Sequence, residues 1–406
     1  MAGEWREGRL GDFLELHRGY DLPQQQRRPG SIPVVSSSGV SDHHGSAMID
    51  APGVVTGRYG TIGQVFFIDE PFWPLNTTLY VSDFKGNDPR FASYLLRTVD
   101  FSPFSDKAAV PGVNRNHLHE AIIRWPVSVA EQKRAAGILG ALDDRIALNR
   151  RMNATLEAIS RALFKSLCSA LGATSQADAR GAASSRTIGD PTPASTTDAA
   201  PLPPGWRLIP IGELAAIAGG STPSTSDAAF WENPVHSWAT PKDLARLRTP
   251  ALLSTERRIS DAGLERIGSR LLAPGTVLLS SRAPIGYLAI TDIPVAINQG
   301  FIAMTPRAGV SNLFLLRWTE SALDDIRSLA NGSTFLEISK AQFRRLMVQV
   351  PPAELLAAYD ACARPLFARL VANERASLSL IALRDALVPK LVSGELPSRR
   401  VELTAY

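Results

Sequence analysis

The sequence predicts an α+β protein built from two related domains and a pair of long antiparallel helices, arranged as a pseudo-twofold internal repeat. Three observations predict it. Two runs of about forty residues carry an apolar stripe close to the helical period. The second half of the chain repeats the landmarks of the first in the same order. Between the halves the composition changes abruptly to Ala, Ser, Thr, Asp, Gly and Pro.

Residues 1–128 alternate short apolar runs with Gly, Pro, Ser and Asn, the pattern of a mixed domain rich in strand and loop. Strands are expected at Ile32–Ser36, Val54–Thr56, Gln64–Ile68 and Leu79–Val81, and a helix at Arg90–Thr98. The first long helix occupies residues 129–168, with Ile138, Leu142, Ile146, Met152, Leu156, Ile159, Leu163 and Leu167 on its stripe. At about 1.5 Å per residue it makes a rod of roughly 60 Å, which needs a partner along much of its length. Residues 169–203 lack aromatics and almost lack large apolar side chains, so they read as a flexible linker. A second domain fills residues 204–352, the second long helix residues 353–393, and a short tail residues 394–406. Leu355, Tyr359, Cys362, Leu366, Leu370, Leu380, Leu387 and Leu391 form the second stripe, and Pro365 is expected to kink or delay that helix.

The repeat is explicit. Val54-Val55-Thr56-Gly57-Arg58-Tyr59-Gly60-Thr61-Ile62-Gly63 matches Val277-Leu278-Leu279-Ser280-Ser281-Arg282-Ala283-Pro284-Ile285-Gly286, 223 positions later. Asn76 aligns with Asn298 at 222, Phe91–Thr98 with Leu313–Thr319, and Val110–Leu118 with Phe335–Phe343. Each long helix follows a proline boundary and holds one Asn near its middle, Asn149 and Asn373. A repeat of this length is too long for a solenoid.

Composition excludes several classes. The formal charge of +4 allows a nucleic-acid partner without establishing one, because local patches matter more than totals. Two cysteines, Cys168 and Cys362, make no disulfide framework and no zinc spacing. Free thiols and a reducing cytoplasm are expected, with neither signal peptide nor membrane span. Catalytic and metal sites are not expected. There is no Walker A motif, and Gly57, Gly60 and Gly63 have the wrong spacing for a dinucleotide loop, so they are assigned to a tight strand–turn–strand. His117-x-His119 and His43-His44 lack further ligands at metal spacing. Glu131-x-Lys133, with Asp106 upstream, only loosely mimics a metal nuclease, and Glu131 suits a helix N-terminus.

The positive signal is for binding. Polar and basic residues crowd the repeated loops: Arg58, Tyr59, Asn76, Asn114, Arg115 and Asn116 in the first half, and Ser281, Arg282, Asn298, Gln299, Thr334 and Lys340 in the second. Arg and Lys pair with guanine edges, Asn and Gln with adenine, and all of them with phosphates. Each residue alone has an ordinary alternative as a solvated loop or turn cap; the doubled ensemble is what suits a split DNA site.

The phrases LGDFLELHRGY, VVTGRYGTIGQV with VLLSSRAPIGYL, and PGVNRNHL with NGSTFLEISKAQF carry a family resemblance. So do the helix openings PVSVAEQKRAAGILGALDDRIALNRR and PPAELLAAYDACARPLFARLVANERA. The chain resembles the specificity subunits of type I restriction–modification systems over nearly its whole length apart from the linker. That resemblance implies two target-recognition domains, each reading one half of an asymmetric bipartite site in double-stranded DNA, separated by a coiled-coil helical spacer. It also implies a subunit without catalysis of its own. Two methyltransferase (modification) subunits would carry S-adenosylmethionine, and restriction/translocase subunits would use ATP and Mg. No cofactor is expected in this chain. Two features depart from the family pattern: the length of the linker, and an Ala-rich second helix opening where the first has Glu131-Gln132. A self-sufficient DNA-binding regulator on a coiled-coil scaffold is the alternative. Asn149 and Asn373 are expected to meet across the seam and set its register.

Overall fold

The computed structural model describes residues 4–105, 112–169, 202–267, 270–331 and 336–401. Most of the expected linker, Asp106, Pro111, Thr334 and the last five residues lie outside the described residues. The chain forms two compact units, Met1–Leu148 with Ala376–Tyr406, and Asn149–Arg375. Each unit therefore contains one α+β domain and part of both long helices.

The first unit runs β1 (Trp5–Arg9), α1 (Leu10–Phe13), β2 (Glu15–Arg18), β3 (Ile32–Ser36), β4 (Gly39–His44), β5 (Gly53–Gly57), β6 (Val65–Ile68), β7 (Trp73–Pro74) and β8 (Thr78–Asp83). Helices α2 (Pro89–Leu96) and α3 (Arg115–His119) follow, then β9 (Ile122–Pro126) and the 41-residue α4 (Val129–Ser169). Helix α2 starts where Asp88 accepts the Phe91 amide and Pro89 occupies the first turn, both strong start signals. Three sheets result, ordered β1-β9, β2-β8-β5-β6 and β4-β3-β7. Alternation along β5 sends Val54 into the core shared with α2 and α4, and Val55 to the opposite cluster with Phe72 and Tyr80.

The second unit repeats this plan. It holds β10 (Arg207–Pro210), α5 (Ile211–Leu214), β11 (Ala215–Gly219), β12 (His236–Ala239), α6 (Pro241–Ala245), β13 (Ala251–Leu252), β14 (Arg257–Ile259) and α7 (Asp261–Arg266). Next come β15 (Val277–Ser280), β16 (Leu288–Thr291), β17 (Ala296–Ile297), β18 (Phe301–Pro306), α8 (Asn312–Ser321), α9 (Leu323–Ser328), α10 (Lys340–Arg344), β19 (Met347–Val350) and the 41-residue α11 (Ala353–Ser393). Its sheets are β10-β19, β11-β18-β15-β16-β13 and β14-β12-β17. Apart from the added β13, each is the counterpart of a sheet in the first unit. The duplication read from sequence is thus a duplication of topology.

Strand register corrects one alignment. Val35 faces Pro74 in the first copy and Ala239 faces Ile297 in the second, so Pro74 corresponds to Ile297, 223 positions on. The counterpart of Asn76 is therefore Gln299, not Asn298. The doubled Asn-x-x-apolar pattern, Asn76 before Leu79 and Asn298 before Phe301, produced the false match at 222.

The long helices pack antiparallel within each unit. In the first, Ala135, Ala136, Ile138 and Leu139 share a core with Val388, Leu391 and Val392, and Arg384 reaches Asp143 at 2.7 Å. In the second, Phe164 packs edge-on to Tyr359. Burial follows a strict 3–4 spacing through Leu139, Leu142, Ile146, Asn149 and Asn153, the heptad pattern of a coiled-coil seam. Three residues assigned to the stripes, Ile159, Leu355 and Cys362, are exposed. Selecting by apolarity alone left out the polar seam positions Asn153 and Ser160 and drifted onto the outer face. Pro365 neither delays nor interrupts α11, which is helical from Ala353 onward. A proline costs about 3 kcal/mol inside a helix, and burial of Leu356, Tyr359, Ala363 and Leu370 offsets it at roughly 1.5–3 kcal/mol per large apolar side chain.

The two helix openings differ in chemistry. Gln132 is fully buried; its side chain donates to Asn87 and to the Pro126 carbonyl, at 2.8 and 2.9 Å, and accepts from the Asp88 amide at 2.8 Å. In the second copy the corresponding Val310 and Leu356, 223 and 224 positions later, lie in one apolar cluster. Truncating Gln132 to Ala leaves buried polar groups without partners, at about 1–3 kcal/mol each. Urea unfolding of Gln132→Ala is expected to show a loss in that range or above. The double variant Asn87→Val/Gln132→Leu, which imports the apolar side chains of the second copy, is expected to lose less than the sum of its single variants.

Candidate nucleic-acid interface

In the first unit, the loop after β5, the end of β2 and the start of α3 converge on a cleft of about 440 Å³. Arg58, Tyr59, Asn114 and Arg115 line it together with His17, Arg18, Tyr20 and Tyr80. The Arg58 backbone bridges two segments: its amide donates to Thr77 at 2.9 Å and its carbonyl accepts from Val113 at 3.0 Å. Its guanidinium lies 4.6 Å from the centre of the Tyr59 ring, a cation–π arrangement that limits its rotamers. The Tyr59 ring in turn covers Gly112, where any Cβ would collide with it. Gly57 likewise has no room for a side chain against the Thr61 carbonyl. Gly57 thus serves the tight strand–turn–strand expected of it, while Gly60 and Gly63 supply positive φ in the same turn. At the cleft floor the Tyr20 and Tyr80 hydroxyls meet at 2.9 Å, and burial, with that bond, pushes Tyr80 up to about 12.

Asn114 caps α3 by accepting the Asn116 amide at 3.0 Å, which leaves Arg115 as the first helical residue, at the cleft rim. Asn76 lies beside the cleft, its side chain bonded to Asp21. Asn116 is exposed on α3.

The second unit reproduces the framework with different side chains. Ser281 stands where Arg58 does: its amide donates to Gly300 at 2.8 Å and its carbonyl accepts from Ile338 at 3.2 Å. Arg282 takes the place of Tyr59 and is paired with Glu337 at 3.6 Å. Gln299 bonds Thr222, as Asn76 bonds Asp21. Asn298 closes a turn by accepting the Gly300 amide at 2.9 Å, the ordinary role open to it from the start. Lys340 opens α10 behind its cap Ser339, at the position of Arg115, and lies over Gly219, the counterpart of Arg18. The structure thus gathers Arg58, Tyr59, Asn114 and Arg115 into one cleft. In the second unit it sets Arg282 and Lys340 near the ends of one short bridged segment, since Arg282 pairs with Glu337.

Sequence reasoning passed over His17, Arg18, Tyr20, Tyr80 and Thr222. His17-Arg18-Gly19-Tyr20 is a visible basic–aromatic run, and strand alternation would have aimed part of it at the cleft. His119, which lacks further ligands at metal spacing, has a structural role instead: its half-buried ring accepts the Leu16 amide at 2.9 Å, which anchors β2 beneath the cleft. At the seam, the Asn149 side chain donates to the Asn373 carbonyl at 3.3 Å, and the Asn373 side chain donates to Asn153 at 2.9 Å. Asn153 is the partner that the sequence did not single out. Both cysteines are free thiols, and burial pushes that of Cys168 up. Among the described residues, no group of three His, Cys, Asp or Glu is placed to hold a metal ion, and no helix is long and apolar enough to cross a membrane.

Two copies of one α+β module, each with polar and basic side chains on the same bridged loops and each followed by a coiled-coil helix, define an internally duplicated two-domain protein. The chain belongs to the family of the type I restriction modification DNA specificity domain, whose model matches residues 2–158 and 203–355. It is 35% identical over 160 residues to the type I restriction enzyme MjaIX specificity subunit of Methanocaldococcus jannaschii, covering 39% of this chain and 37% of that one. It is 23% identical over 389 residues to the HindI specificity subunit of Haemophilus influenzae, covering 82% and 84%. The crystal structure of a type I restriction-modification system S subunit from M. genitalium shares the fold over 96% of both chains, with a TM-score of 0.62 at 15% identity.

Burial, together with nearby Arg115 and Lys85, holds His119 below its ordinary value of 6.5. The neutral ring is thus preferred in the fold. Its stabilisation is present above 6.5 and is lost as pH falls through the lower folded value. The urea midpoint is expected to drop between pH 7 and pH 5, and the drop to be smaller in His119→Gln. Identical pH profiles for the two proteins would contradict this role.

Proposed function

We propose that this chain is the sequence-recognition subunit of a type I restriction–modification complex and that each of its two domains reads one half of an asymmetric, bipartite site in double-stranded DNA. The observation that carries this reading is the repeated framework with divergent side chains. Arg115 and Lys340 keep a cation at the first residue of equivalent helices, while Arg58 is replaced by Ser281 and Tyr59 by Arg282. A kept cation suits phosphate positioning; exchanged side chains at a kept backbone position suit the reading of different bases.

On this reading the chain contributes no catalytic group. Two methyltransferase subunits dock on it and supply S-adenosylmethionine, and restriction/translocase subunits supply ATP- and Mg-dependent work. The complex acts in the cytoplasm. The paired helices set the spacing of the half-sites at about one duplex turn, near 34 Å. The Asn149–Asn373–Asn153 contact fixes the register of the pair, as single polar seam residues do elsewhere.

The test is the host methylome with and without this gene. Deletion is expected to abolish methylation at one split, asymmetric motif. Unchanged methylation would contradict the reading and favour a self-sufficient DNA-binding regulator. For the register, Asn149→Leu/Asn373→Leu is expected to change thermal stability and to relax the gap length within the motif. Unchanged stability together with an unchanged gap would remove the seam asparagines from that role.

A further inference from the structure

In the second domain one arginine lies against two tryptophan rings. Arg257, at the start of the edge strand β14, places its guanidinium 3.8 Å from the centre of the Trp231 ring and 5.2 Å from that of Trp238. The two rings meet nearly edge-to-face at 5.3 Å. Both are tethered in turn, because Trp231 donates to the Ser224 carbonyl at 2.9 Å and Trp238 to the Ser221 carbonyl at 3.3 Å. Ser221 adjoins Thr222, the partner of Gln299, so the clamp borders the recognition surface of the second domain. Arg257 itself is exposed, and no carboxylate among the described residues forms an ion pair with it. Neighbouring Glu256 is taken up by Lys242 and Arg246.

The first domain answers this position with the opposite charge. Strand register makes Asp42 the counterpart of Arg257, and Asp42 neutralises Arg27 at 2.6 Å. The cation is thus cancelled in one copy and left available in the other.

We propose that Arg257 is a base-reading residue of the second domain, its guanidinium fork pre-aimed by Trp231 and Trp238 at the paired acceptors of a guanine edge. The assignment rests on the function proposed above. A phosphate is met equally well by a mobile lysine, whereas a stacked, planar fork of fixed orientation suits two acceptors in one plane. Holding the side chain in advance also removes the ordering cost of binding.

The test compares the methylomes of cells carrying wild-type protein, Arg257→Lys and Arg257→Gln, with thermal melts of the full chains as a check on folding. Lys keeps the charge and loses the fork; Gln loses the charge. The proposal expects wild-type melting and about tenfold relaxed discrimination at one position of a single half of the motif, with the other half unchanged. An unchanged motif, or a uniform fall in methylation at all sites with the motif intact, overturns the assignment of Arg257 alone. A wild-type methylome with no split motif overturns the recognition reading itself. If Arg257→Lys melts early, Trp231→Phe, which weakens the clamp and keeps the arginine, must still relax the same position.

Discussion

In a folded protein most of the stability of a long amphipathic helix comes from covering its apolar face rather than from propensity, and here such a helix runs for 41 residues. That constraint organises this protein. Two such helices occur among the described residues, and each packs against the other. Their 3–4 seam buries Leu139, Leu142 and Ile146 in one unit and Phe164 against Tyr359 in the other. Each α+β domain then completes its own core against the helices. Phe91, Tyr94 and Leu95 of α2 share a cluster with Ile138 and Val388, and Phe314 of α8 shares one with Phe164 and Tyr359. Polar ties reinforce the fit. Asp143 accepts from Tyr94 at 2.6 Å and from Arg384 at 2.7 Å. Burial alone would raise its carboxyl, but these bonds and the charges of Arg97 and Arg384 outweigh it and hold it low.

The two copies keep backbone geometry and exchange chemistry. Paired strands, caps and bridges recur position by position, because a shifted register would turn every inward side chain outward. Side chains at the loop tips and helix openings carry no such constraint. A buried Gln132 latch in one copy becomes an apolar Leu356 contact in the other. A stacked Arg58–Tyr59 pair becomes Ser281 beside an Arg282–Glu337 ion pair. Divergent side chains on a repeated frame are what two readers of different sequences require.

How much of this was legible in the sequence depended on which interactions set each feature. The long helices and the duplication were legible, because apolar period and repeated turn residues are local signals. The strands around Val34 and Val55 were legible for the same reason. The seam was legible only in part: Asn149 and Asn373 stood out, while Asn153 and Ser160 did not, because a buried polar residue looks like a surface one until its partner is known. The delay expected at Pro365 did not occur, because the rule for isolated helices ignores tertiary packing. The cleft was half legible. Arg58, Tyr59, Asn114 and Arg115 sit on repeated loops, but Arg18, Tyr20 and Tyr80 reach it from strands distant in sequence, and Arg257 is set apart only by two tryptophans folded around it.

The central claim is that the chain contains one DNA-reading module twice, each copy specifying one half of the target. A chimaera tests this most directly: residues 1–126 are replaced by residues 202–351, so that the second domain occupies both positions, and the methylome is recorded in cells supplying the methyltransferase subunits. A symmetric, inverted-repeat motif is expected, with both halves matching the native half read by the second domain. A motif that stayed asymmetric, or retained the half assigned to the first domain, would contradict it.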